Sequence, residues 1–243
     1  MEITSLSNNR IKELLKLKER KGRKESRLFL IEGEHLVEEA YKKGILKELI
    51  LIIGSTYSLP VPITYVTREI INKITDLDNS PNIIGVCSYL ENNEILGDRL
   101  LLLDCIQDPG NLGTIIRSSK AFGVDTIVIS KDSVDLYNPK VLRATEGIIF
   151  HINIVIMDLE EAIDIIKSKH IPLYGTRVDG GENVKNINSS NYAIIMGNEG
   201  QGVNKDLLEK CDKYLYIDMD KEVESLNVGV ATSIILYEFH NKK

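Results

Sequence analysis

The chain has 243 residues, 43% hydrophobic and 27% charged, which excludes a disordered polymer and a protein built from long apolar membrane spans. Its net charge of −6 would argue against a nucleic-acid partner if it were evenly spread. It is not: the window from Arg10 to Arg27 holds nine basic and three acidic residues, +6 locally against −12 for the remainder. Three cysteines (Cys87, Cys105, Cys211) and four histidines (His35, His151, His170, His240) show neither a disulfide framework nor ligand spacing, so they read as buried thiols and no metal is expected. The opening MEITSLSNNRIKELLK lacks a signal-peptide layout, and the expected location is the cytoplasm, with no membrane partner.

In chain order, the first expected element is a helix across the basic window, with Ile11, Leu14 and Leu15 forming a narrow apolar stripe under a broad cationic face. Such a face is either a solvated surface or a phosphate-binding one. Strand-like runs follow at 28–31, 49–53, 63–66 and 83–87, with a helical stretch from near Gly33. This compact α/β pattern ends in the polar ENNEILGD, which predicts a first domain over 1–96 and a second over 97–243.

In the second domain, apolar runs at 100–103, 126–129, 152–156, 173–175, 192–196 and 214–217 alternate with helical patterns at 112–122, 159–169 and 203–211. That is the rhythm of a parallel, doubly wound sheet, whose ligands sit outside the carboxyl ends of the strands. The loops after the strands are therefore where chemistry is sought.

Three of them stand out. After the run at 100–103, Pro109, Gly110 and Asn111 form a turn in which Asn111 is suited to cap the following helix. Leu112, Ile115, Ile116, Ser119 and Phe122 mark that helix's packed face, which leaves Arg117 on another side, a surface arginine by periodicity alone. After the run at 192–196, Gly197-Asn-Glu199-Gly-Gln-Gly202 is either a tight turn or a backbone cradle. Glu199 in it repels phosphate and suits a ligand with a positive centre or hydroxyls. The third, from Ile217 to Asn227, runs into an almost wholly apolar helix that should be buried. Ser225 reads as its cap, and Asn227, inside the first turn, needs another partner.

Taken together, Asp108-Pro-Gly-Asn111-Leu-Gly113-Thr-Ile-Ile-Arg117, Ile195-Met-Gly197-Asn-Glu199-Gly-Gln-Gly202 and Ser225-Leu-Asn227-Val-Gly-Val-Ala231 resemble the three ordered motifs of the SpoU/TrmH RNA 2′-O-ribose methyltransferases of the SPOUT class. Asn138 to Gly147, including Arg143, with Phe150-His151, matches a further stretch common in these enzymes, so the resemblance spans 100–240. The first ninety or so residues, including Arg23 and Phe29-Leu-Ile-Glu32-Gly33, are similar to the substrate-binding domain often found ahead of it, which has the fold of ribosomal protein L30e and holds RNA. The chain departs from the pattern before Ser225, where Asp218 and Lys221 occupy positions that usually carry Pro and Gly.

The resemblance implies an α/β protein with a SPOUT-type parallel-sheet catalytic domain, a deep trefoil knot near its C-terminus, and a homodimer with the active site at the interface. It implies methyl transfer from S-adenosylmethionine to a ribose 2′-hydroxyl of structured RNA, ribosomal RNA before tRNA. Asn111, Arg117, Glu199, Ser225 and Asn227 are the implied catalytic set, and Thr176, Met196, Gly197, Ile217, Met219 and Leu226 the implied cofactor contacts. Arg10, Lys16, Arg20, Arg23, Lys24 and Arg143 are the expected RNA contacts, since basic side chains neutralise phosphate and release counterions.

A free guanidinium is a poor base, so Arg117 is expected to grip phosphate and stabilise the developing alkoxide. The first alternative is an RNA- or ribosome-binding protein that keeps the fold without turnover; Asp218 and Lys221 favour it, and the intact motif residues oppose it. A nicotinamide-dependent enzyme would need an early GxGxxG, which the chain lacks.

Overall fold

Two sheets organise the chain, and the computed structural model describes residues 1–77 and 79–241. Contacts divide it into one unit of Met1–Glu91 with Asp135–Phe150 and another of Asn92–Val134 with His151–Lys243. This differs from the expected 1–96 and 97–243 in one physical respect. The stretch at 135–150 carries buried Tyr137, Val141, Leu142 and Phe150, and its helix packs against a strand of the first unit.

In the first unit, β1 (Glu2–Ile3), β2 (Leu28–Glu32), β3 (Leu46–Ile52), β4 (Ile63–Val66) and β5 (Ile83–Ser88) pair in the order β1-β4-β3-β5-β2. β3 runs parallel to β4 and antiparallel to β5. Helices α1 (Asn9–Lys16) and α4 (Arg68–Ile74) seal one face through Ile11, Leu14, Ile70 and Ile71, which meet Ile50 and Ile84 of the sheet. α3 (Glu34–Lys42) starts at Gly33, whose φ of 90° permits the sharp turn out of β2. From the later stretch, α6 (Pro139–Ala144) joins this unit.

The single basic helix expected over the window is two helices, α1 and α2 (Arg20–Ser26). The break has a tertiary cause. A Cβ on Gly22 would stand 2.1 Å from the Lys16 carbonyl oxygen, so only glycine lets α2 close on the end of α1. There the Arg23 guanidinium donates to the carbonyls of Leu17 at 2.9 Å and Lys18 at 2.7 Å, satisfying acceptors that a helix end leaves open.

The second unit is a seven-stranded sheet, wholly parallel, in the order β10-β12-β9-β11-β6-β7-β8. The strands are β6 (Arg99–Leu103), β7 (Thr126–Ile129), β8 (Asn153–Ile156), β9 (Leu173–Thr176), β10 (Glu182–Asn183), β11 (Tyr192–Met196) and β12 (Lys213–Tyr216). Leu100 to Leu103 are fully buried, as an unbroken apolar run demands when both faces are covered. The helices are α5 (Pro109–Ala121), α7 (Leu159–Ser168), α8 (Lys205–Glu209) and α9 (Val228–His240). No helix among the described residues is long and apolar enough to cross a membrane.

Two sequence expectations need correction. α9 is not buried all round: Val230 is 47% and Tyr237 51% exposed. Nor are all three thiols buried. Cys87 is, and burial raises its pKa, whereas Cys105 and Cys211 are half-buried, with the Cys211 thiol pushed up to about 11 by burial.

Candidate active site

Parallel pairing brings three loops to one edge of the second sheet. Met196 is in register with Leu103, and the Asp104 amide donates to the Met196 carbonyl at 2.9 Å, so the loops after β6 and β11 leave side by side. Asp108, not Asn111, caps α5: its Oδ1 accepts from the Asn111 amide at 2.8 Å, with Pro109 in the first turn. That correction frees the Asn111 side chain. Its Nδ2 donates to Glu199 Oε1 at 3.0 Å and its Oδ1 accepts from Asn227 Nδ2 at 2.8 Å.

Asn227 in turn caps α9, its Oδ1 accepting from the amides of Gly229 at 2.9 Å and Val230 at 3.2 Å. The expected cap, Ser225, is exposed instead, two residues earlier. The loops after β6, β11 and β12 are thus joined through Glu199, Asn111 and Asn227. Alongside, α5 and α9 touch through Ser118 and Ser233, whose hydroxyls are 2.7 Å apart.

Glu199 also accepts from the amides of Gln107 at 3.3 Å and Asp108 at 3.2 Å. Burial opposes its ionisation, but the hydrogen bonds from Asn111 and from backbone amides outweigh burial and hold the carboxyl below the usual carboxylate range. It is therefore an anchored anion, unsuited to proton transfer near neutral pH. Arg117 is exposed on α5 and makes no hydrogen bond or ion pair among the described residues.

The glycine-rich loop is held by a residue that sequence reasoning missed. Asn198 Oδ1 accepts from the amides of Gly200 at 2.9 Å and Gln201 at 3.1 Å, while its Nδ2 donates to the Cys105 carbonyl at 2.8 Å. Asn198 and Gly202 close the loop by exchanging backbone hydrogen bonds. A Cβ on Gly197 would lie 2.1 Å from the Gly202 carbonyl carbon, so the return of the loop excludes any other residue there. The signal was available, since an Asn opening a glycine turn satisfies amides two and three residues on.

Beside this loop lies a cavity of about 520 Å³ at the carboxyl ends of β9, β11 and β12. Thr176, Met196, Gly197, Ile217, Met219 and Leu226, the six expected cofactor contacts, all line it, and so do Glu199 and Ser225. Sequence reasoning did not find Arg177, Asp179 and Glu224, which also line it. The Arg177 guanidinium lies 4.8 Å from the centre of the Tyr214 ring. Three carboxylates and one guanidinium around apolar walls suit a flat apolar ligand that bears a positive centre and hydroxyls, and the volume falls in the range of about 300–1,000 Å³ usual for small-molecule sites. A nucleoside carrying a sulfonium has that chemistry.

The basic residues of the first unit fare unequally. Lys16, Arg20 and Lys24 are exposed. Arg10 is paired with Glu13 at 2.8 Å and with Glu48, and Arg143 with Glu32 at 2.9 Å, so neither offers an unneutralised charge. Arg23 is a clear correction. It is 3% exposed, pairs with Asp135 at 2.6 Å and caps α1, so it cannot touch phosphate. Among the described residues no group of three or more His, Cys, Asp or Glu side chains could hold a metal ion.

Comparison with known proteins fits this geometry. Residues 98–237 match the SpoU rRNA Methylase family, and residues 8–85 match the MRM3-like substrate binding domain. The chain is 38% identical to the 23S rRNA (guanosine(2553)-2′-O)-methyltransferase RlmP of Bacillus subtilis, over 97% of this chain and 98% of that protein. Among solved structures, an RNA 2′-O ribose methyltransferase superposes with a TM-score of 0.85 at 31% identity, covering 100% of this chain and 99% of its own. An AdoMet-bound rRNA methyltransferase from Sinorhizobium meliloti gives 0.85 at 29% identity, over 98% and 96% of the two chains.

Proposed function

We propose a residue-level account of catalysis and substrate from the premise that this chain belongs to the SpoU rRNA Methylase family. It is an S-adenosylmethionine-dependent RNA 2′-O-ribose methyltransferase. The Bacillus subtilis relative acts, by its name, on guanosine 2553 of 23S rRNA, and the same class of substrate, large-subunit ribosomal RNA in the cytoplasm, is proposed for this chain.

The observation that carries the site assignment is the run of hydrogen bonds from Glu199 through Asn111 to Asn227, at the edge of a cavity lined by carboxylates. S-adenosylmethionine supplies an electrophilic methyl carbon on a sulfonium; Met196, Ile217, Met219 and Leu226 give apolar walls for it, and Thr176 and Gly197 offer polar backbone. Glu199 fixes the amides of Gln107 and Asp108 and so sets where α5 begins. Asn111 and Asn227 hold α5 and α9 in register, and Ser225 faces the cavity.

Arg117, exposed and without a carboxylate partner among the described residues, is assigned to the RNA. Its fork grips a phosphate and donates to the 2′-oxygen as negative charge develops there; the bond from that oxygen to the methyl carbon forms as the carbon–sulfur bond breaks, the thioether S-adenosylhomocysteine leaves, and the hydroxyl proton passes to solvent water. Alignment of the reacting atoms is worth up to about 7–11 kcal/mol in favourable cases, and a rigid three-loop platform serves that end.

The proposal includes a homodimer. Val230 and Tyr237 leave an apolar strip open on α9, the helix that packs beside the helix of Arg117. It also includes the trefoil knot, which the interleaved strand order β12-β9-β11-β6 favours.

The test is incorporation of labelled methyl from S-adenosylmethionine into ribosomal RNA lacking the modification, with native protein, Arg117→Ala and Arg117→Lys. Expected are label resistant to alkali at one ribose, none in Arg117→Ala, and severe impairment in Arg117→Lys, because a point charge cannot replace a bidentate fork. Absence of label with native protein, combined with RNA binding, would favour a binding protein without turnover.

A further inference from the structure

Four side chains of the first unit form a bent cluster around Tyr137, which both Phe29 and Tyr89 meet while their own ring centres lie 6.2 Å apart. The ring of Phe29 in β2 is buried, that of Tyr137 lies 4.6 Å from it, and Tyr89 stacks on Tyr137 at 3.9 Å with 26° between the planes. Above Tyr89, at 5.0 Å from its ring centre, lies the guanidinium of Arg27. Exposure rises from Phe29 to Arg27. Phe29 and Tyr137 are inside, Tyr89 is half-buried, and Arg27 is exposed with no ion pair among the described residues.

Hydrogen bonds brace the cluster around the two tyrosines. The Leu90 amide donates to Tyr137 Oη at 2.9 Å, and the Tyr137 amide donates at 3.2 Å to Asp135, the carboxylate that Arg23 holds from the other side. The Tyr89 amide donates to the Arg27 carbonyl at 3.0 Å. Arg27 ends α2 in the left-handed region at φ 57°, an uncommon conformation for a residue other than glycine. The Arg27 guanidinium is seated over the Tyr89 ring on one side and, being exposed, leaves its other side open to a ligand. That is the surface on which a splayed base stacks, and it is not the surface that a phosphate needs.

We propose that the outer face of Arg27 is a stacking site for one unpaired base of the RNA, adding a further plane to the stack of Tyr137, Tyr89 and Arg27. The site rests on the reading of this chain as an RNA-modifying enzyme and specifies how its first unit recognises single-stranded rather than base-paired substrate. Lys24, exposed on the same helix, suits a phosphate flanking that base.

The experiment is fluorescence anisotropy of the full chain with a labelled short oligoadenylate and with a base-paired RNA of equal length, for native protein, Arg27→Ala and Arg27→Lys. Melting curves confirm that each variant is folded. Base stacking on a protein side chain predicts that Arg27→Ala weakens oligoadenylate binding about five- to tenfold or more, with a lesser loss for the duplex. Arg27→Lys should recover the duplex affinity and not the oligoadenylate affinity. Full recovery of both by lysine would make Arg27 a phosphate contact only and overturn the proposal, as would unchanged binding in Arg27→Ala or no binding of oligoadenylate by the native protein. The labelled-methyl assay with Arg117→Ala is independent of these outcomes, so loss of the stacking site leaves the methyltransferase reading standing and the reverse holds too.

Discussion

In the first unit a motif arginine, Arg23, is 3% exposed, donates to two carbonyls at the end of α1 and pairs with Asp135. In the second unit another motif arginine, Arg117, is exposed and has no polar partner among the described residues. Both come from stretches that resemble the same enzyme family, yet one guanidinium is consumed by architecture and the other is presented to solvent. The difference teaches that a charged motif residue is assigned to ligand or to fold by whether the fold already satisfies its donors. A buried guanidinium with four of its five N–H groups met internally has nothing left for phosphate.

The sharpest way to break this contrast is to remove Arg23. Arg23→Met leaves Asp135 unpaired and the α1 carbonyls open, and the expected loss of stability is about 3–5 kcal/mol, read from urea unfolding. The double variant with Asp135→Leu should recover part of that loss. Arg117→Ala should do the opposite, lowering turnover about 10²–10³-fold while the melting temperature stays unchanged. If Arg117→Ala lowered the melting temperature and Arg23→Met only the affinity for RNA, the two assignments would have to be exchanged.

Smaller effects sharpen the comparison at the helix ends. Asp108→Ala removes the cap of α5 and is expected to destabilise by about 1 kcal/mol in thermal unfolding. Asn227→Ala removes a cap together with the link to Asn111, so it should lower turnover as well as stability. The smallest effect is a pH dependence. Glu199 has a folded-state pKa below its ordinary value of 4.5, so its contribution is fully present above that value and is lost as pH falls through the lower folded value. The stability difference between native protein and Glu199→Gln should therefore be constant near neutrality and shrink only in acid. A difference that shrank near neutral pH would mean that Glu199 titrates there and could act as a base.

Much of this arrangement was legible in the residues. The apolar runs that became β7 and β11 are bounded by turn residues and could be read to their ends, because strands buried on both faces leave little to confuse the pattern. The carboxyl-end rule then pointed to the three loops. What could not be read depended on distant partners. The fate of Arg23 is set by Asp135, more than a hundred residues on. The caps were misread by a few residues, since Asp108 and Asn111, like Ser225 and Asn227, are all competent to cap, although Pro109 at the start of α5 already points to Asp108. Asp179 reaches the cavity from a loop with no pattern of its own, while Glu224 comes from the third loop, next to Ser225.

The stretch at 135–150 has a consequence for how the protein is made. The sheet of the first unit is complete in sequence once β5 has left the ribosome, but the carboxylate for Arg23 and the ring beneath Tyr89 lie beyond β6, α5 and β7. Until they emerge, a nascent chain holds a cation at a position destined for burial without its counter-ion, and stays open there. The unit begun first is finished only after synthesis of the other is well under way, so the usual order of one domain closing before the next begins does not apply to this chain.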